Sequence, residues 1–171
     1  MKKILIVLVL AVVLVTGTAF AAYPEGWGLG PQFGSTGDFQ GSGTNSSAAL
    51  ALKAPQLPIW WAISFNLDTH IGFGLGVSGD YYLFHQPIVS DIGLYWYLGL
   101  GGGIGIQTYK HWDDELWSHI WFRVPVGISW NPIPLIDVYL QLVPQVGGLI
   151  LPEPDFIHSG WVGNIGIRFW L

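Results

Sequence analysis

Past residue 26 the chain alternates large apolar residues with small or polar ones at a period of two. Period two marks β-strands whose two faces meet different surroundings. Clusters of Pro, Gly and Asn interrupt the alternation and delimit eight segments, at about 26–35, 46–54, 58–67, 70–84, 92–108, 117–130, 135–147 and 160–171. Helical periodicity is absent, so the pattern predicts an all-β chain of eight antiparallel strands joined by turns.

The two faces differ in kind. One carries Trp61, Ile63, Phe65 and Leu67, then Phe73, Leu75 and Val77, then Ile104 and Ile106, and finally Ile165, Ile167, Phe169 and Leu171. No charge falls on that row in any segment. The other row holds glycines, among them Gly99, Gly101, Gly103, Gly105, Gly127 and Gly166, together with Tyr82, Tyr95, Tyr97 and Tyr139. Every charge inside the segments, Lys53, Asp80, Arg123, Asp137 and Arg168, lies on this second row. Were the second row to face water, a soluble sandwich would show far too few charges to stay dissolved. Inverting the sheet removes the conflict: the apolar rows face lipid and the small and polar rows pack inside a narrow lumen.

Composition agrees. Only 10% of residues are charged and 15% are aromatic, with 24 glycines and no cysteine; soluble domains average roughly 25% charged residues. No segment past the first residues forms an apolar run long enough for a membrane helix, and a closed barrel is the other way to cross a bilayer. The first residues, "MKKILIVLVLAVVLVTGTAFAA", combine Lys2 and Lys3, an apolar run and an Ala19-Phe20-Ala21 end. They read as a cleaved secretory signal peptide over 1–21, leaving an outer-membrane barrel over 22–171. That mature chain keeps four basic residues against eleven acidic ones, a net of −7, which argues against nucleic acid as a partner.

Taking both termini as periplasmic puts the turns near Pro55–Leu57, His85–Asp91 and Asn131–Pro134 on the inner side. The connections "GDFQGSGTNSS", "DTH", "YKHWDDELW" and "LPEPDFIHSG" then lie outside, mostly longer and more polar, as surface loops are. Trp27, Trp61, Trp96, Trp130 and Phe169 fall near the inner strand ends, where an interfacial aromatic girdle belongs.

The segments "SGDYYLFH", "GLYWYLGLGGGIGI", "WFRVPVGISWNPIPLIDVYLQLVPQ" and "GNIGIRFWL" resemble a family of small spirochaete-type outer-membrane proteins, a domain of unknown function likened to the OmpA transmembrane domain. The similarity spans most of residues 26–171. It implies an eight-stranded outer-membrane barrel and no reaction. One departure is the last residue, Leu171 after Trp170, where such barrels usually end on Phe or Trp.

Few residues suggest chemistry. "GLGGGIGI" lies within a strand with no helix after it, which rules against a phosphate loop and for lumenal packing. Asp113-Asp114-Glu115 reads as a solvated loop tip, without the ligand spacing of a calcium loop. Asp68 and His70 at one outer strand boundary, and Ser118 and His119 at another, would suit a base–nucleophile pair of a lipid-modifying enzyme if brought together. Pro31, Pro125 and Pro144 within strands hint at bulges that would suit a conduit for small apolar solutes.

The reading that best fits the rows is a non-catalytic barrel without a cofactor or metal. Its polar lumen is plugged, with Asp137 and Arg168 paired. Its expected partners are outer-membrane lipid, the barrel-assembly machinery and an extracellular ligand engaged through the loops.

Overall fold

The computed structural model describes residues 26–39, 44–66, 71–109 and 116–171. The leader, and with it Asp68, His70 and the Asp113-Asp114-Glu115 run, lies outside the described residues. Among the described residues nine strands form: β1 (Gly28–Asp38), β2 (Thr44–Lys53), β3 (Ile59–Asn66), β4 (Ile71–Val89), β5 (Leu94–Tyr109), β6 (Leu116–Arg123), β7 (Val126–Ile133), β8 (Ile136–Leu151) and β9 (Asp155–Trp170). Each pairs antiparallel with its neighbours, and β9 pairs back onto β1, so the sheet closes on itself.

β6 and β7 are two halves of one barrel strand, which makes eight staves in all. Both lie between β5 and β8, and their registers continue across the gap: Gly101 faces Arg123 in one half and Leu98 faces Val126 in the next. The gap is made by Pro125, which accepts a hydrogen bond from the Gly99 amide at 2.8 Å but has no N–H to return. Val124 still donates to the Pro144 carbonyl at 2.9 Å. Neither Pro31, Pro125 nor Pro144 coincides with a change of register. The expected proline bulges are therefore absent; register shifts fall instead at Tyr82/Phe84 and at Gly147/Gly148, among others.

Following hydrogen-bonded partners round the wall from Trp170 gives Gly28, Lys53, Trp60, Asp80, Gly101, Arg123 and Gln145, and returns to β9 at Gly160, ten residues from the start. That stagger sets the strand tilt, and eight staves enclose a space about wide enough for side chains.

Burial follows the two rows. Phe33, Ile104 and Ile165 on the outward row are 57, 61 and 55% exposed, whereas Asp137, Asn164 and Arg168 on the inward row are each 3% exposed. Trp27, Trp130 and Phe169 are exposed near the end that carries Gly26 and Leu171, and Trp61 lies over Gly79 on the same outer face.

Several strand boundaries differ from the sequence reading. β4 runs on to Val89, so the turn is Ser90–Gly93 rather than His85–Asp91. The register shift at Tyr82/Phe84 resets the alternation and lets His85 pair with Tyr97. β8 and β9 continue to Leu149 opposite Asp155, so "LPEPDFIHSG" is mostly paired strand closed by a short turn. β1 likewise extends to Asp38.

Candidate functional site

The interior divides into a packed half, next to the termini, and an open half beneath the opposite rim. The packed half begins where glycines on one strand leave room for rings from the next. A Cβ on Gly28 would meet the Trp170 ring, on Gly99 the Tyr82 ring, on Gly127 the Tyr97 ring and on Gly166 the Tyr139 ring. The resulting column stacks Trp60 on Tyr82 at 5.1 Å and Tyr82 on Tyr97 at 4.4 Å, with Trp170 edge-on to Trp60 at 5.7 Å. Beside it His85 stacks on Tyr95 at 4.8 Å and meets the Ser129 hydroxyl at 3.3 Å.

Arg168 sits in the middle of this column. Its guanidinium lies 3.9 Å from the Trp60 ring centroid and 4.0 Å from that of Tyr139. Its Nη2 is 2.8 Å from Asp137 Oδ2, the cross-strand neighbour on β8. A planar cation between two ring faces and against a carboxylate combines cation–π and charge-assisted contacts in one buried place. Tyr139 is held in turn, donating to Gln32 Oε1 at 2.7 Å, and Tyr97 donates to Gln141 Oε1 at 3.0 Å.

The second ion pair, Arg123 Nε to Asp80 Oδ1 at 3.0 Å, spans an intervening strand. Asp80 is on β4 and Arg123 on β6, with Gly101 of β5 between them in the same row. A Cβ at Gly101 would fall on the Asp80 carboxylate, so only glycine lets the two side chains meet across it. Lys53 has a different partner: its Nζ donates to the Ala54 and Leu57 carbonyls at 2.8 and 2.6 Å, tying down the β2–β3 turn.

Above Arg123 the lumen opens into a cavity of about 1050 Å³ reaching the rim at Asp38, Glu153, Asp155 and His158. Its wall includes Asn45, Ser47, Ser64, Gln145 and Asn164, with the indoles of Trp117 and Trp121 on β6. Trp121 lies along β5 over Gly103 and Gly105, whose missing side chains make its berth. His119 also lines this cavity, while Ser118, the next residue on the same strand, belongs to the opposite row with Ile106. Strand alternation thus separates the expected base–nucleophile pair onto two faces of the wall.

Sequence reasoning did not single out Trp60, Trp121 or His85 as interior groups. Parity carried the signal for the first two, since Trp60 shares a row with Ala62 and Ser64, and Trp121 with Arg123. For His85 no signal existed without the register shift.

Two solved structures share this architecture. Neisserial surface protein A is 13% identical, over 85% of this chain and 96% of that one, with a TM-score of 0.56. The N-terminal β-barrel domain of Pseudomonas aeruginosa OprF is 15% identical, over 83% of this chain and 96% of that one, with a TM-score of 0.52. This is the fold of the eight-stranded outer-membrane barrels. At such identities the likeness is one of fold alone. No family model and no curated protein matches the chain. The coarser part of the resemblance, an OmpA-like barrel, therefore has structural support, and the spirochaete-type family has none from a family model.

Proposed function

We propose that the protein is an integral outer-membrane barrel whose terminal half is closed and whose opposite half presents a polar cup and loops at the cell surface. Its role in this reading is to hold and display, not to pass solutes or catalyse a reaction. The observation that carries it is Arg168, fixed inside the lumen between Trp60 and Tyr139 and paired with Asp137 on the adjacent strand. Moving that group aside would break an ion pair and two ring contacts at once, so the closed state is strongly favoured. The exposed apolar rows supply the lipid contact, far more than a soluble surface carries. The signal-like leader over 1–21 and the alternating last strand suit export and recognition by the barrel-assembly machinery. The spirochaete-type family remains the proposed kin on the quoted segments.

A membrane-fractionation experiment tests this. The protein is expected to stay with the outer membrane through carbonate and high-salt washes, and to change gel mobility on boiling. Release by either wash would overturn the assignment.

A further inference from the structure

We infer that the open half of the lumen is a binding site for a neutral, hydroxyl-rich ligand of oligosaccharide type. The inference rests on the closed lower half as its floor. The cavity, about 1050 Å³, is at the upper end of small-molecule sites, which run to about 1,000 Å³. Its chemistry is selective. Asn45, Ser47, Ser64, Gln145 and Asn164 offer amides and hydroxyls, groups that both donate and accept, as a sugar hydroxyl does. Trp121 packs one ring face on the glycines of β5 while lining the cavity, which leaves an indole surface for the C–H face of a pyranose.

Asn164 Nδ2, on a residue 3% exposed, and Trp121 Nε1 have no protein hydrogen-bond partner, and both residues line the cup. Both donor atoms are shielded from solvent, and a small turn of either side chain toward the cup gives it an acceptor on a ligand. An anionic ligand is disfavoured: Arg123, the one Lys or Arg among the described lining residues, is held by Asp80, and Asp38, Glu153 and Asp155 ring the mouth. An apolar ligand would strand the amides. The closed wall bars entry from within the bilayer, so the saccharide enters through the mouth at the rim.

Calorimetric titration of the full chain tests this, in an amine-oxide detergent whose headgroup is not itself a sugar. Cellobiose, lactose and diacetylchitobiose serve as neutral probes and sialyllactose as the charged one. At least one neutral disaccharide is expected to bind saturably, and more tightly than sialyllactose. Asn164→Asp keeps the side chain's shape and Trp121→Phe keeps an aromatic face, each deletes a donor, and each is expected to weaken binding by about tenfold or more, at least the effect of one lost hydrogen bond. Ser47→Trp fills the cup with those donors intact and is expected to abolish binding. No saturable heat with any neutral probe, tighter binding of sialyllactose, or unchanged affinity in the three variants would each overturn the inference. Heat-modifiable mobility of every preparation shows that the barrel is folded. Absence of binding by the unaltered chain with intact mobility sinks the cup alone, and not the closed outer-membrane barrel.

Discussion

Stripping the guanidinium from Arg168 leaves Asp137 a buried carboxylate with no second ion-pair partner among the described residues. Breaking one side of such a pair costs about 3–5 kcal/mol, whereas replacing both partners by apolar groups costs much less. Arg168→Ala is thus expected to lower unfolding stability by that amount in urea titrations of vesicle-refolded protein. Adding Asp137→Leu should recover part of the loss; strictly additive effects would mean that the pair is not coupled. The glycines make a second case. Gly101→Ala would push a methyl into the Asp80 carboxylate and the Gly79 carbonyl, and overpacking of that kind costs about 1–3 kcal/mol. At Gly163, on the outward row, a Cβ meets only the Trp161 ring at ordinary contact distance, so Gly163→Ala should change stability by less than about 0.5 kcal/mol. Equal effects at the two sites would contradict the packing described for the lumen.

At the scale of strands, the extended β8–β9 hairpin and the tight Ser90–Gly93 turn lie at opposite ends of the barrel. An epitope inserted after Glu153 is expected to be reachable by antibody on intact cells. One inserted after Asp91 should be reachable only once the outer membrane is opened, and the reverse pattern would invert the topology. The strands themselves were legible because lipid and lumen impose opposite demands on alternate residues. Ile104 against Gly103 and Gly105 shows this within three positions. What alternation could not show was where pairing continues after the apolar row stops, as it does from Gln145 to Leu149, because backbone hydrogen bonds need no particular side chain. Nor could it reveal the register shift that brings His85 inward, since a shift depends on the partner strand. The five interior charges were readable by parity, and so was the Asp137–Arg168 pair on adjacent strands, but not the other partners: Lys53 turns to backbone carbonyls, and Asp80 reaches Arg123 only across Gly101.

At the scale of the molecule, closure of β9 on β1 removes every sheet edge, so the wall needs no partner to complete its hydrogen bonding. What distinguishes the two halves of the lumen is then side-chain volume alone. Rings and two ion pairs fill the terminal half; in the other half small polar groups, and Trp121 lying along Gly103 and Gly105, leave the centre open. The proposed closed floor would transmit no steady ion current. Single-channel recording of the purified full chain in planar lipid bilayers measures that property directly. The account predicts a baseline without steady conductance steps at neutral pH, and a sustained, porin-sized conductance from the folded, heat-modifiable protein would contradict it.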